Sequence, residues 1–458
     1  MTQTEHMPAA FLAHLRTEAA PLILRRDGQS PAWTDLARHA AVYAQDPELY
    51  ALLAVGESVA AGQQARVLFT LLRESRVDLP APVRPTLERV TACLLAVLHP
   101  DLVLTVFLAL RRARANHKHT AHAILRYILD HPQLEDLIRR RRPTVADALE
   151  HALGKNTARG AVRLLGTPGG DEPYVRRTLL RFARDPERVR AALPQLYGAP
   201  PDAALVPPDA PRYTDAHTEL GARMAGREQR PKTVTATNRG DIAATLVHLY
   251  SGGPSPVLED ALAGSIAEAA ARLPRFGGRL AVVLDTSAST RGYGDRAYCG
   301  LAQSVALTRV LARTCADLRV YPAESAVALP QPAGATDLAG PLLDALAGGP
   351  DLVAIVSDGY ENQLGGDLAR VAASLPAAGV ATPVVFCHSK FSYSDDLTYR
   401  QPAPALPQMA FWHQADFEEL LLQLFALAEG AGTSTLRTFL SHKLSQIEKE
   451  VTLWTSSS

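Results

Sequence analysis

One aspartate and several hydroxyl residues follow an apolar run at residues 281–290, AVVLDTSAST. Asp285, Ser287 and Ser289 form the pattern D-x-S-x-S, Thr336 lies in GATDLAG, and Asp358 lies in VSDG. Three alcohols and two carboxylates form an all-oxygen set of donors, which suits a hard divalent cation such as Mg²⁺ or Mn²⁺. Zinc would prefer nitrogen or sulfur donors. The residue types therefore predict a magnesium or manganese site, provided that the fold brings them together.

The elements that would position these residues begin at Phe276, where short apolar runs alternate with helical segments. This alternation predicts a doubly wound (Rossmann-like), largely parallel sheet. RLAVVLD and DLVAIVSDG each bring an aspartate to the sheet edge where open α/β folds bind ligands. LRVYPAESAVAL is a candidate antiparallel hairpin at the side of the sheet.

The front of the chain has a different pattern. Between residues 8 and 195, apolar residues recur at three- and four-residue steps, and short breaks carry Pro, Gly or Asp. Successive helical hairpins of this kind favour a HEAT-like α-solenoid. The predicted fold class is therefore α plus α/β.

We expect four segments. Their predicted bounds are 1–195 for the HEAT-like helical domain with a basic face, 196–275 for a linker and connecting helices, 276–430 for the α/β domain, and 431–458 for a C-terminal helix.

The oxygen donors occur in a recognisable order: D-x-S-x-S, a distant threonine, then an aspartate after a later strand. The segment resembles a von Willebrand factor A (vWA) domain with its metal-ion-dependent adhesion site (MIDAS), over roughly residues 276–428. Ala288 stands where the family usually has glycine, and alanine narrows the allowed backbone. The resemblance implies direct metal ligands at Ser287, Ser289 and Thr336, and aspartates acting directly or through water at Asp285 and Asp358.

A catalytic use of these residues is the alternative. Aspartyl-phosphate enzymes also begin with an aspartate after a first strand, but Ser287 occupies the position of their second acidic residue, so the general acid is missing. Ser287 also lacks a G-x-S-x-G elbow and a nearby histidine. We therefore expect a site that binds rather than reacts, and a protein that is not an enzyme.

Charge is distributed unevenly along the chain. Residues 1–250 contain 33 Lys/Arg and 26 Asp/Glu, and residues 111–190 alone contain 18 and 9. A basic helical face is the usual footprint of phosphate-backbone binding, whereas solvated helix surface is the alternative. The candidate nucleic-acid-binding residues are Arg111, Arg112, Arg114, His117, Lys118, His119, Arg139, Arg140, Arg141, Arg142, Arg176 and Arg177.

A helical domain followed by a vWA-like domain resembles the architecture of the Ro autoantigen (TROVE) family. That resemblance implies a ribonucleoprotein component that binds small non-coding RNA on its HEAT-like helices, with an acidic ligand or protein carboxylate at the Mg²⁺ site. The alternative is a vWA adaptor that works beside a MoxR-type AAA+ ATPase and binds no RNA. The four cysteines are scattered, and neither a signal peptide nor a membrane span is evident, so we expect a cytoplasmic protein with free thiols.

Overall fold

A computed structural model describes residues 7–17, 24, 33–167, 169–198, 241–253, 255–327, 329–390 and 400–457. Most of the predicted linker at 196–275 lies outside these described residues. The described residues form helices and a five-stranded parallel sheet, which confirms the predicted α plus α/β class. No helix among the described residues combines the length and apolar character that a membrane crossing requires.

The chain divides into two compact units. The unit that we call the sheet unit takes its described residues from Met1–Ala13 and Glu228–Phe439. The helical unit takes its described residues from His14–Arg227 and Leu440–Ser458. The four segments predicted from the sequence stay a prediction.

Helices supply the regular structure of the helical unit, and several begin where an aspartate precedes proline. Asp46 shows why: its Oδ1 accepts a 3.0 Å bond from the Leu49 amide, and Pro47 needs no amide partner in the first turn. The front helices are α1 (Met7–Arg16), α2 (Leu36–Gln45), α3 (Pro47–Leu53), α4 (Ala61–Arg73), α5 (Val83–Val97), α6 (Pro100–Arg112), α7 (Lys118–Leu129), α8 (Leu134–Leu153), α9 (Lys155–Leu165), α10 (Glu172–Thr178) and α11 (Pro186–Ala192). The residues of α1 up to Ala13 belong to the sheet unit.

The sheet unit alternates strands and helices, as the sequence predicts. Its elements are α12 (Ile242–Gly252), α13 (Pro256–Ala271), β1 (Phe276–Leu284), α14 (Cys299–Thr314), β2 (Cys315–Tyr321), α15 (Ala339–Ala347), β3 (Leu352–Ser357), α16 (Asp367–Ser374), β4 (Val384–Ser389), β5 (Gln408–Phe411), α17 (Phe417–Phe425) and α18 (Ala431–Ser457), the last of which continues into the helical unit.

All strand pairs are parallel, in the order β2-β1-β3-β4-β5. The candidate antiparallel hairpin in LRVYPAESAVAL is absent from the described residues. After β2 the chain turns at Pro322 into a short 3₁₀ helix, Ala323–Ala326, and forms no second strand there. Asp358 therefore follows the third strand of the sheet.

Apolar cores on both faces of the sheet fix which way each strand residue points. On β1, Leu280 and Val282 pack into the core that contains α12 and α14, whereas Ala281 and Val283 pack into the core beneath α15 and α16. Every residue of β3 is buried, as expected for a central parallel strand. Because neighbouring residues face opposite cores, a slip of one residue would reverse the whole strand.

The helical unit buries a polar cluster at His39, which is fully buried on α2. His39 Nδ1 is 2.8 Å from the Tyr50 hydroxyl, and Nε2 is 2.8 Å from Gln63 Oε1. The neighbouring Asp35 carboxylate forms an ion pair with Arg66 and contacts His14 Nε2 at 2.8 Å. The carboxylate charge is thus balanced inside the protein, and Nε2 of His39 is occupied as a hydrogen-bond donor.

Burial is the main cause that lowers the pKa of His39 from 6.5 to about 4, and it outweighs the opposing pull of Asp35 and Gln63. The unfolded chain binds this proton below pH 6.5, whereas the folded protein binds it only near pH 4. The free energy of unfolding should therefore fall by about 3 kcal/mol as the pH drops through that window. Urea unfolding between pH 7 and pH 4 measures this slope.

In His39→Gln, we expect lower stability at pH 7, because a buried hydrogen bond is lost, and a pH slope that is shallower by about one proton. His442→Gln removes an exposed imidazole of the same unit and is the matched control. Equal slopes for the two variants would contradict the assignment to His39.

Candidate metal centre

The predicted oxygen donors all lie at the carboxyl edge of the sheet. Asp285 follows β1, and Asp358 follows the adjacent strand β3. Ser287 immediately precedes, and Ser289 lies within, the 3₁₀ helix Ala288–Arg291. Thr336 belongs to the loop before α15 and is 1% exposed. The strand order therefore brings together residues that are 73 positions apart in sequence, from 285 to 358.

The three hydroxyl groups are in mutual contact. Ser287 Oγ lies 2.8 Å from both Ser289 Oγ and Thr336 Oγ1, and Ser289 Oγ lies 3.5 Å from Thr336 Oγ1. Adjacent ligands of an octahedral Mg²⁺ ion, bonded at 2.0–2.1 Å, are separated by about 2.9 Å. Two of the three oxygen separations are thus close to that of adjacent ligands on one face of the octahedron, and the third, between Ser289 and Thr336, is longer.

The Asp285 carboxylate is fixed through both of its oxygens. Oδ1 accepts a 2.9 Å bond from the Ser287 amide, and Oδ2 accepts a 2.6 Å bond from the Ser357 hydroxyl. Ser357 Oγ in turn accepts a 3.0 Å bond from the Gly359 amide. These bonds hold a carboxylate that is only 4% exposed.

Asp358 is the second carboxylate of the site. Its Oδ1 accepts a 3.1 Å bond from the Tyr360 amide. Burial, together with the negative charge of Asp285, raises the pKa of Asp358 to about 6, against the smaller lowering effects of the Tyr360 amide and the Arg400 guanidinium. Two carboxylates are therefore held near each other with little solvent, an arrangement that a bound cation would stabilise.

Three loops form the walls of the site and are joined by backbone hydrogen bonds. The loop after β1 bonds to the loop before α15 through Ala333 N to Thr286 O at 2.9 Å and Ala288 N to Gly334 O at 3.0 Å. The loop after β3 joins them through Gln363 N to Thr336 O at 3.1 Å. The site is consequently a single hydrogen-bonded framework.

Two residues of this framework were not found from the sequence. Ser357 orients Asp285, and Asn362 Oδ1 accepts a 2.6 Å bond from the Thr336 amide. The place of Ser357 follows from the observed register, which pairs Leu284 with Val356 and so places Asp285 opposite Ser357. No comparable pattern marks Asn362, which acts through a loop.

The backbone near the site requires glycine at position 359 but not at position 288. Gly359 has φ 91°, and a Cβ atom there would lie 2.6 Å from the Arg400 carbonyl oxygen, so only glycine fits. Ala288, where the vWA pattern has glycine, is exposed and does not have a positive φ. Its backbone conformation is therefore open to alanine.

The candidate nucleic-acid-binding residues all lie in the helical unit, on or beside α6, α7, α8 and α10. Many of the guanidinium groups contact carboxylates. Arg141 makes a two-pronged ion pair with Asp101 at 2.8 and 2.6 Å. The other pairs are Arg111 with Asp147, Arg139 and Arg140 with Asp136, and Arg176 with Glu172.

The remaining candidate nucleic-acid-binding residues differ in their contacts and in their exposure to solvent. Arg142 donates to the carbonyl oxygens of Leu196 and Gly198. The half-buried rings of His117 and His119 are stacked with centroids 5.4 Å apart, and burial lowers the pKa of His119 to about 4. The candidates at the ends or outer sides of these helices are Arg112, Arg114, Lys118 and Arg177, of which Arg114, Lys118 and Arg177 are exposed.

No family model, curated protein or solved structure matches this chain. The geometry of the site is therefore the basis for a functional assignment.

Replacing Ser357 tests whether its hydroxyl holds the Asp285 carboxylate. Ser357→Ala leaves a buried charged acceptor without one donor, so we expect a loss of about 1–3 kcal/mol in the free energy of unfolding. Urea denaturation in EDTA measures this loss in the absence of metal. Ser374→Ala, which removes an exposed hydroxyl bonded to the Arg370 carbonyl, should change stability little. Equal losses in both variants would show that Ser357 plays no special part.

Proposed function

We propose that the sheet unit is a vWA-like domain that binds Mg²⁺ or Mn²⁺ and uses the metal to capture an anionic group of a partner. The observation that carries the proposal is the hydroxyl triangle of Ser287, Ser289 and Thr336 beside Asp285 and Asp358. The three hydroxyl oxygens would bind the ion, and the two carboxylates would balance its charge directly or through water. The bound ion would supply an electron-poor centre that an outside carboxylate or phosphate oxygen can coordinate.

A binding role fits the surroundings of Ser287 better than catalysis does. The contacts of its hydroxyl are to two other hydroxyl groups, and neither is a general base. Hydroxyl groups bonded to one another are well placed to turn their lone pairs toward a cation. We therefore assign no reaction to this site.

For the helical unit we keep the proposal of a HEAT-like, TROVE-like surface that binds small non-coding RNA. Its support is the excess of basic residues between 111 and 190. The carboxylate partners of Arg111, Arg140 and Arg141 reduce the charge available to phosphates. The exposed Lys118 and Arg177 are the candidates that we expect to contribute most.

Magnesium titration tests the metal site. We expect Mg²⁺ at one hundred times its Kd to add about 2.7 kcal/mol to the free energy of unfolding of the wild type. Asp358→Asn removes one of the two buried like charges, so its metal-free form should be at least as stable as the wild type, whereas its Mg²⁺ affinity should fall at least about tenfold. Isothermal titration and thermal unfolding, each with and without EDTA, measure both effects.

Asp344→Asn, on the exposed side of α15, is the control for losing a carboxylate elsewhere in the unit and should bind Mg²⁺ like the wild type. Indistinguishable Mg²⁺ affinities for the wild type and Asp358→Asn would reject the proposed site.

RNA binding has a separate test. If phosphates contact the helical unit, the double variant Lys118→Gln/Arg177→Gln should weaken RNA retention and flatten the salt dependence by about 0.7 per residue for single strands. Gel shifts at several salt concentrations measure the slope. Arg272→Gln/Arg313→Gln removes two exposed charges from the sheet unit and should leave it unchanged. A wild type that retains no RNA at low salt would leave only the metal-dependent function.

A further inference from the structure

The strand β2 forms an open edge of the sheet. In the order β2-β1-β3-β4-β5 it has a neighbour on one side only, and a 3₁₀ helix follows it in place of the second strand of the expected hairpin. Within the described part of the chain, residues 316–321 form ladder hydrogen bonds with β1 alone. The amides and carbonyls of alternate residues therefore face away from the sheet, which is the usual template for adding another strand.

The two edge strands of the sheet differ in length. β5 has only four residues, Gln408–Phe411, and so short an edge offers few backbone groups to another chain. β2 has seven residues, Cys315–Tyr321, and all of its side chains are exposed or only partly buried. Among them, Leu318 and Val320 pack against the core that contains α12 and α14 but still expose apolar surface. A further strand beside β2 would cover both.

The charges on β2 are arranged symmetrically about its central residue. Asp317 and Arg319 flank Leu318 and lie on the opposite face of the strand from it, with side chains 43% and 60% exposed. When two copies of β2 are paired antiparallel about Leu318, Asp317 of each copy stands opposite Arg319 of the partner subunit. Opposite charges directly across an antiparallel pair stabilise the pair, whereas like charges destabilise it.

The same two charges disfavour the neighbouring registers. Pairing centred on Asp317 would place two carboxylates opposite each other, and pairing centred on Arg319 would do the same for two guanidinium groups. The register centred on Leu318 matches both charges with opposite ones. At pH 7 the formal net charge of the chain is zero, so two copies have no net charge repulsion to overcome.

We propose that two copies of the chain pair their β2 strands antiparallel about Leu318 and form a two-fold symmetric dimer in which the two sheets are continuous. The partner is a second copy because the pattern is self-complementary, as a two-fold interface requires. Antiparallel pairing reverses the strand direction between the copies, so their candidate metal centres would lie at opposite edges of the joined sheet. The dimer does not depend on whether these centres bind metal.

Sedimentation velocity of the full-length protein in EDTA, over a range of protein concentrations, tests this inference. We expect a reversible wild-type dimer. Arg319→Asp makes carboxylates face each other at both symmetry-related positions, so the Kd of its dimer should be at least about tenfold higher. Asp317→Arg should weaken the dimer similarly, because guanidinium groups then face each other. Arg370→Asp reverses an exposed charge on α16, 78% exposed, and is the control that should dimerise like the wild type.

Mixing the two weakened variants separates a lost charge match from misfolding. An equimolar mixture of Arg319→Asp and Asp317→Arg should form mixed dimers with a Kd close to that of the wild type, because every facing pair again carries opposite charges. The double variant Asp317→Arg/Arg319→Asp should dimerise by itself for the same reason. The inference is overturned if the wild type stays monomeric at every concentration, if Arg319→Asp dimerises like the wild type, or if neither the mixture nor the double variant recovers the dimer.

Discussion

Two carboxylates at the carboxyl edge of the sheet, one buried and one partly exposed, are the main constraint on the candidate site. Asp285 is almost inaccessible to solvent, and its charge acts together with burial to raise the pKa of Asp358. Proteins usually bury a carboxylate only against a cation, because the loss of hydration is large. Here the donors in contact with the two carboxylates are amides and a serine hydroxyl, and the Arg400 guanidinium offsets only part of the rise in the pKa of Asp358. A divalent cation would balance the remaining negative charge.

The parallel sheet brings Asp285 and Asp358 together although they are far apart in sequence. Parallel pairing of β1 with β3 puts Leu284 opposite Val356, so that the residues following each strand meet at the switch in strand order. The register is held by side chains that never touch the site. Leu280 and Val282 point into one core, whereas Val353 and Ile355 point into the other. The chemistry at the edge therefore depends on alternating apolar contacts along the whole length of both strands.

The sequence patterns predicted the alternating strands and helices and the residues that follow the strands. They did not predict the residues whose roles depend on contacts between loops. Strand–helix alternation gave the parallel sheet, and the positions of Asp285 and Asp358 after two apolar runs placed both at its carboxyl edge. The hairpin predicted in LRVYPAESAVAL is absent from the described residues, where the chain enters a 3₁₀ helix after Pro322. The apolar pattern of this segment did not indicate that turn. Asn362 was missed because its role depends on reaching an amide 26 residues earlier.

Counting charges along the chain does not show which guanidinium groups of the helical unit are paired with carboxylates. Arg140 and Arg141 stand in a run of four arginines, yet Asp136 and Asp101, from the start of the same helix and from α6, occupy their guanidinium groups. The opposite holds in the sheet unit, where no run of charge marks the site. A buried carboxylate in the helical unit, Asp35, is matched by Arg66, whereas the partners of Asp285 among the described residues are hydroxyl and amide donors. A buried carboxylate held by neutral donors is a stronger indication of a ligand site than a run of charged residues. Binding a cation would stabilise such a carboxylate, whereas charges that are already paired gain little from a ligand.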